Sequence, residues 1–376
     1  MTNTMFTAVD LFCGTGGLSL GLQTSGFNVL GALDNWKLAC QCYGLNFDHP
    51  ALHHDIRKLS AQEFLSLTGN SDMKVDLVAG GPPCQGFSVQ RIGEDADDRN
   101  DLVLEFARYV NELQPTVFLM ENVLGLLGKR GGATAHRFEQ ALYPQYQVRS
   151  IRVNAADYGV PQLRKRVLYY GWRRDVPVPF VFPRPTHDSD SYVTVWKAIG
   201  DLPEPPEDYS PQPSDPLHKR HRLSPTNIER LKLIPPGKGF ESLPVEMRVD
   251  CHKDGPDRIG HRYVYGRLDA NQPAGTITAR FDSFTRGKFA HPFSHRNITL
   301  REGARLQTFP DTFRFSGSQE EMAALIGNAV PPRLAQVIGK ALFSYLSFLR
   351  SEPAGADQDV CTTGVDQLPL FSRPTA

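Results

Sequence analysis

Nothing in the 376 residues approaches the ~18 consecutive apolar residues that a membrane-spanning helix needs. The N-terminus, Met1-Thr2-Asn3-Thr4-Met5-Phe6, has no basic stretch and no long apolar core, so it does not read as a secretory signal. Only six cysteines are scattered along the chain, with no Cys-x-x-Cys pair and no Cys/His ligand spacing. Neither a disulfide framework nor a zinc site is supported by that pattern. Net charge is lacking too, with Lys+Arg and Asp+Glu at 41 each. These absences predict a reduced, cytoplasmic protein with no membrane association.

The balanced total hides an asymmetry. Residues 1–100 hold 6 Lys/Arg against 11 Asp/Glu, whereas residues 211–300 hold 15 against 9 together with six histidines. A neutral whole with one basic segment predicts that a polyanion is met on one face only. The length suits roughly two domains at about 150 residues each.

Short apolar runs alternate with helix-period segments through the first half. Strands are predicted at Phe6–Phe12, Asn28–Leu33, Val75–Ala79, Thr116–Met120, Gln147–Val153 and Val167–Gly171. Helices are predicted at Leu18–Thr24, Leu38–Asn46, Leu102–Leu113 and His136–Leu142. This is the βαβ signature of an α/β fold with a mainly parallel sheet and helices on both faces. The texture changes near Pro183: residues 183–298 are rich in Pro, Gly, His and Arg and predict a smaller, loop-rich second domain. Leu300–Gln307 reads as a helix, Gly327–Pro332 as a loop, and Arg333–Arg350 as an amphipathic helix that packs back on the first domain. The expected division is 1–182 plus 322–350, then 183–321, then a disordered tail over 351–376.

Three segments carry chemistry. Asp10-Leu11-Phe12-Cys13-Gly14-Thr15-Gly16-Gly17 follows the first strand and opens a helix, and Asp34 lies twenty positions past Gly14. That distance suits an acid accepting from ribose hydroxyls. Gly-x-Gly-Gly would serve a nicotinamide or flavin nucleotide, or a nucleoside without a diphosphate. Asp55 could accept from an adenine amino group or simply cap a helix. The turn Gly80-Gly81-Pro82-Pro83-Cys84 presents a thiol at a strand's carboxyl edge, either as a nucleophile or as a structural cysteine. Met120-Glu121-Asn122-Val123 places a carboxylate on that edge, and Gln162-Leu163-Arg164-Lys165-Arg166 offers two guanidiniums at alternate positions.

With these motifs in this order, from Asp10–Gly17 to Gly327–Pro332, the chain resembles a DNA cytosine-5 methyltransferase of bacterial type over roughly residues 5–350. The resemblance implies a Rossmann-like methyltransferase domain, a small target-recognition domain, S-adenosylmethionine as methyl donor (S-adenosylhomocysteine as product) and double-stranded DNA as substrate. It implies catalytic roles for Cys84, Glu121, Arg164 and Arg166. Cofactor contacts are implied for Phe12, Cys13, Gly14, Gly16, Gly17, Asp34, Asn35, Asp55, Ile56, Pro82, Leu102, Asn328 and Ala329. In that family the ribose position is usually Glu, so Asp34 is a departure, with Trp36 nearby as a cover for the adenine. Asn328 matches the motif's asparagine, which points to ordinary methyl transfer.

Ser88, Gln90, Arg91 and Arg99 lie in a polar stretch after Cys84 and are expected to close over DNA. Gly275–Asp282 resembles the Thr-containing core of target-recognition domains, and Arg280, Arg286, Lys288 and His291 are candidate DNA contacts. Gln367-Leu368-Pro369-Leu370-Phe371 resembles a peptide that docks on the replication sliding clamp. A monomer associated with the nucleoid is expected. Alternatives are a tRNA cytosine-5 methyltransferase, disfavoured by the basic second domain, and an inactive DNA-binding protein, disfavoured by the intact Cys84, Glu121 and Arg166.

Overall fold

The structure, a computed structural model, describes residues 5–83, 102–129, 131–250 and 264–351. Cys84, Ser88, Gln90, Arg91, Arg99 and the Gln367–Phe371 peptide lie outside the described residues.

The first half alternates strand and helix: β1 (Thr7–Leu11), α1 (Gly17–Gln23), β2 (Asn28–Asp34), α2 (Lys37–Gly44), β3 (Ala51–His53), α3 (Ala61–Leu67), β4 (Leu77–Gly80), α4 (Leu102–Leu113), β5 (Val117–Asn122), α5 (Gly132–Leu142), β6 (Tyr146–Asn154) and β7 (Lys165–Arg173). The strands form one seven-stranded sheet in the order β3-β2-β1-β4-β5-β7-β6. Only β7 runs antiparallel to its neighbours.

Two-residue periodicity sorts the sheet's apolar side chains onto two faces. On β5, Phe118 and Met120 join a cluster with Phe106 of α4 and Phe138 of α5. Val117 and Leu119 join the opposite cluster with Leu22 of α1 and Leu334 and Leu342 of the last helix. Each large apolar side chain so buried contributes about 1.5–3 kcal/mol relative to exposure.

The second half holds α6 (Val195–Ile199), α7 (Pro225–Leu233), a two-strand pair β8 (Gly266–Arg267) and β9 (Lys288–Ala290), then α8 (Leu300–Leu306), α9 (Gln319–Asn328) and α10 (Pro332–Ser351). α10 packs on α1 closely enough that a methyl on Gly21 would lie 2.3 Å from Ala335 Cβ. The expected return of the last helix to the first half is therefore observed. Phe240, Phe281, Phe284 and Phe289 form a third cluster, which continues without a break into Cys13, Ala32, Tyr43 and Phe47 of the first half.

The structure corrects the sequence reading in several places. β3 and α3 were not predicted: β3 has three part-exposed residues, and α3 is short, held by a capping box between Ser60 and Glu63. Gly327 and Asn328 do not open a loop but end α9, which begins at a Ser318–Glu321 capping box. Among the described residues, no helix is long and apolar enough to cross a membrane.

Candidate active site

Strand order reverses between β1 and β4, so the connections after these two strands diverge and leave a crevice at their carboxyl ends. β1 leads into a tight turn. Phe12 (φ 58), Gly14 (φ 54) and Gly16 (φ 98) all take left-handed conformations there. A Cβ on Gly14 would meet nothing within 4 Å, so the turn is open on that side. A methyl on Gly17 would lie 2.2 Å from the carbonyl of Val330 and 3.3 Å from Ala329 Cβ, so the start of α1 lies against the segment after α9.

Asp34 shapes this turn. Its Oδ2 accepts from the Gly14 amide (2.9 Å) and its Oδ1 from the Trp36 amide (2.8 Å). Burial nonetheless outweighs these bonds and raises its carboxyl. Asn35 is exposed, with its carbonyl 3.2 Å from His53 Nε2. Asp55 caps a short 3-10 turn and pairs with Arg57 at 2.7 Å, and that pairing lowers its carboxyl. Phe12, Ile56 and Leu102 belong to one apolar cluster, while Cys13 and Ala329 belong to another. Among the described residues, no group of three or more His, Cys, Asp or Glu is placed to hold a metal ion.

The second site lies one strand over. Gly80 brings the end of β4 against β1, where a Cβ would sit 2.4 Å from the Leu11 carbonyl. Asn122, at the end of β5, donates from Nδ2 to the Pro82 carbonyl (3.1 Å) and accepts the Val123 amide (2.8 Å). The backbone at Pro82, two positions before Cys84 in the sequence, is therefore tied to β5. A methyl on Gly81 would lie 3.7 Å from Glu121 Oε2.

Glu121 Oε1 lies 2.8 Å from Arg166 Nε across the β5–β7 pair. The contact is one of charge, not of an aligned hydrogen bond, and Oε1 has no hydrogen-bond partner among the described residues. Arg166 is anchored by its Nη1 on the Lys165 carbonyl (2.8 Å). Arg164 is 3% exposed and donates from Nη1 to the carbonyls of Ile277 and Gly327, both at 3.1 Å. Burial, with the Arg166 charge adding to it, pushes the Arg164 guanidinium down to about 9, and Glu121 opposes the shift. The two predicted arginines therefore differ: Arg166 meets the acid, and Arg164 clamps two backbones together.

Three of the four DNA candidates in the second half are engaged by the protein itself. His291 is buried and accepts from the Phe293 and Ser294 amides (3.3 and 3.0 Å). Burial pushes its imidazole down to about 4. It closes an internal turn. Arg280 pairs with Asp282 (3.1 Å) and Glu320 (3.2 Å), and Lys288 donates to the Gly237 carbonyl (2.6 Å). Arg286 is exposed.

Two residues with no role predicted from the sequence occupy the seam between the halves. Gln162 and Gln307, both fully buried, bond to each other (Nε2 to Oε1, 2.6 Å). No local signal marks Gln307, which stands in the mixed segment Leu306-Gln307-Thr308-Phe309.

A profile of the family described as C-5 cytosine-specific DNA methylase matches residues 6–344. The type II methyltransferase M1.HphI of Haemophilus parahaemolyticus is 37% identical over 341 residues, 89% of this chain and 86% of its own. The type II methylase M.HgiDII of Herpetosiphon aurantiacus is 33% identical over 350 residues, 91% and 96% of the two chains. A candidate DNA modification methyltransferase from an E. coli prophage superposes with a TM-score of 0.71 at 28% identity, over 91% of this chain and 99% of that one. A Spodoptera frugiperda DNMT2 variant shares the fold at a TM-score of 0.63 and 18% identity, over 90% and 99% of the two chains. With the sheet order, the glycine turn and the Glu121–Arg166 contact, these likenesses place the chain among the C-5 cytosine-specific DNA methylases, the family to which it belongs.

Proposed function

We propose that this chain transfers a methyl group from S-adenosylmethionine to C5 of a cytosine flipped out of a specific duplex sequence, through a covalent bond between Cys84 Sγ and C6. The observation that carries the reading is the Glu121–Arg166 contact at 2.8 Å beside the turn that leads to Cys84.

C5 of an aromatic cytosine is a poor nucleophile. Addition of the Cys84 thiolate to C6 forms a C–S bond and moves electron density onto N3 and C5. Glu121 serves as the general acid at N3 and limits that charge, an effect typically worth ~10²–10⁴ in rate. Arg166 holds the base by O2, and Arg164 holds the backbone on which Arg166 stands. C5 then takes the methyl group, a base or bound water removes the C5 proton, and the C–S bond breaks to return the thiolate. The cofactor supplies an electrophilic methyl on a sulfonium. The open, left-handed Gly14 turn and the carboxylate of Asp34 support a nucleoside there, with Asn35, Asp55, Ile56, Pro82, Leu102, Asn328 and Ala329 around it. Flipping costs a few kcal/mol of unstacking, met by contacts from Ser88, Gln90, Arg91 and Arg99 on the Cys84 side and Arg286 on the other.

Residues 1–182 with 322–350 form the catalytic half and 183–321 the target-recognition half. The type II relatives support a modification role beside a restriction enzyme. The chain acts as a cytoplasmic, nucleoid-associated monomer, and Gln367–Phe371 docks on the replication sliding clamp. Clamp pull-down that ignores Leu370→Ala/Phe371→Ala removes that last assignment.

Duplex DNA containing 5-fluorocytosine tests the chemistry. Fluorine cannot leave C5 as a proton does, so the chain is expected to remain bonded to DNA through denaturing electrophoresis, and Cys84→Ala is not. Equal trapping of the two chains would overturn the covalent route.

A further inference from the structure

Five groups close a ring of hydrogen bonds at the seam between the halves. The Ile277 amide donates to Gln162 Oε1 (3.1 Å), and the Ile277 carbonyl accepts from Arg164 Nη1 (3.1 Å). Arg164 Nη1 also donates to the Gly327 carbonyl (3.1 Å), which takes a second, longer bond from Gln307 Nε2 (3.3 Å). Gln162 Nε2 donates to Gln307 Oε1 (2.6 Å) and completes the circuit.

Gln162, Ile277 and Gln307 are fully buried, and Arg164 is 3% exposed, so water does not compete for these bonds. Further bonds tie the ring outward. Gln307 Nε2 donates to the Ile326 carbonyl (2.7 Å), and Gln162 Nε2 to the Leu306 carbonyl (2.8 Å). There is no slack at the crossing: a methyl on Gly327 would fall 2.2 Å from the Thr278 carbonyl.

The ring therefore joins three regions. Ile277 sits three residues before Arg280 in the recognition segment, Arg164 leads into the strand carrying Arg166, and Gly327 precedes Asn328 and Ala329. A backbone shift at residues 276–280 moves a carbonyl and an amide that are both held by the ring. Arg164 and Gln162 cannot follow independently, since each would leave a buried polar group unpaired, at about 1–3 kcal/mol. A tightly packed network of this kind passes displacement on instead of absorbing it.

We infer that Gln162 and Gln307 are positioning residues that couple engagement of DNA by the recognition segment to the geometry of both the base site and the cofactor site. This rests on the functional reading above, in which Asn328–Ala329 face the cofactor and Arg166 faces the base. By linkage, duplex DNA then tightens S-adenosylhomocysteine, and S-adenosylhomocysteine tightens DNA by the same factor.

The experiment compares the full chain with Gln307→Met, titrating S-adenosylhomocysteine by calorimetry with and without saturating sheared genomic duplex. In the parent chain the duplex is expected to tighten S-adenosylhomocysteine roughly tenfold. In Gln307→Met the ratio of the affinities with and without DNA is expected to fall below about twofold, whatever the affinity without DNA becomes. Simple loss of packing would lower the melting temperature and leave the tightening intact. Should Gln307→Met fail to fold, Gln307→Glu keeps the shape and the acceptor toward Gln162 but removes the donor to Gly327, and the same loss is expected. A variant that keeps the parent's tightening, or a parent that binds both ligands with none, overturns the inference. A parent that neither methylates genomic DNA nor is trapped on 5-fluorocytosine overturns the functional reading itself.

Discussion

Asn122 reaches from the end of β5 to the carbonyl of Pro82, 3.1 Å away, and so fixes the turn two residues before Cys84. Replacing its donor by an acceptor in Asn122→Asp sets a carboxylate against that carbonyl without changing shape. The backbone at Pro82 would then lose its tie to β5, and a misplacement of about 1 Å at a reacting group can cost ~10² in rate. We expect kcat to fall about 10- to 100-fold with the cofactor KM within about threefold. Steady-state kinetics with each substrate varied checks this, and an unchanged kcat would remove Asn122 from the mechanism.

Glu121 and Arg166 make a second, separable prediction. Glu121→Gln keeps the side chain's volume but cannot supply the acidic proton to N3. Methyl transfer is expected to fall ~10²–10⁴-fold, as for loss of a general acid. Duplex binding measured by electrophoretic shift is expected to survive. Loss of binding in step with activity would mean that Glu121 holds the protein together and plays no chemical part.

Asp10 is expected to leave a mark on stability against pH. Its Oδ2 accepts from the Ser19 amide (3.1 Å) and hydroxyl (2.6 Å), while Oδ1 has no partner among the described residues. Burial outweighs these two bonds and pushes the carboxyl up to about 7, with Asp34 adding to the rise. The folded state then holds this proton more tightly than the unfolded chain does. The stabilisation is complete below about pH 4, the usual carboxylate value, and is lost as pH rises toward 7. His49, pushed down to about 4 by burial, acts with the opposite sign, its contribution being lost as pH falls from about 6.5 toward 4. Asp10→Asn retains an acceptor for Ser19 and removes only the first slope. At pH 8 the variant should gain on the parent, by an amount on the order of a few kcal/mol, and the gain should vanish near pH 4. Thermal melts across that range decide, and a pH-independent difference between the two chains would refute it.

Glu302 and Arg296 form a buried two-pronged pair, with both contacts at 2.8 Å, and Glu302 also caps α8 through the Thr299 amide (2.7 Å). Glu302→Gln would take away the buried partner of the Arg296 guanidinium and leave it Glu204 alone (2.7 Å), a carboxylate that is half-exposed. A loss of about 3–5 kcal/mol is expected in urea unfolding, and a loss under about 1 kcal/mol would contradict it.

Much of the catalytic half is legible from the sequence because its signals are local. Val78, Phe118 and Leu168 sit in short apolar runs of β-branched and aromatic residues. Glycines mark the turns after β1 and β4, where a side chain would strike the Leu11 carbonyl or force a left-handed strain. What the sequence could not reveal is non-local. Nothing near His291 announces that its ring will lie edge-on to Trp196, with ring centroids 6.2 Å apart. Nothing near Arg280 announces Glu320, 40 residues on, as a partner. Gln162 and Gln307 are 145 residues apart, and their pairing exists only once the two halves meet. Helix α9 is a different case: its Ser318–Glu321 capping box is a local signal that stands in the sequence itself.

The apolar cluster beneath residues 195–329 does not stop at the first half. Phe313 meets Phe47 edge-on at 6.1 Å, and Phe47 in turn stacks beside Tyr43 at 4.2 Å, under the glycine turn. An engineer who grafts another reader onto this scaffold must therefore carry compatible aromatics at 309 and 313. Otherwise the transplant opens a void under the glycine turn, and a swap meant to change only which sequence is read would also loosen the turn proposed to hold the methyl donor.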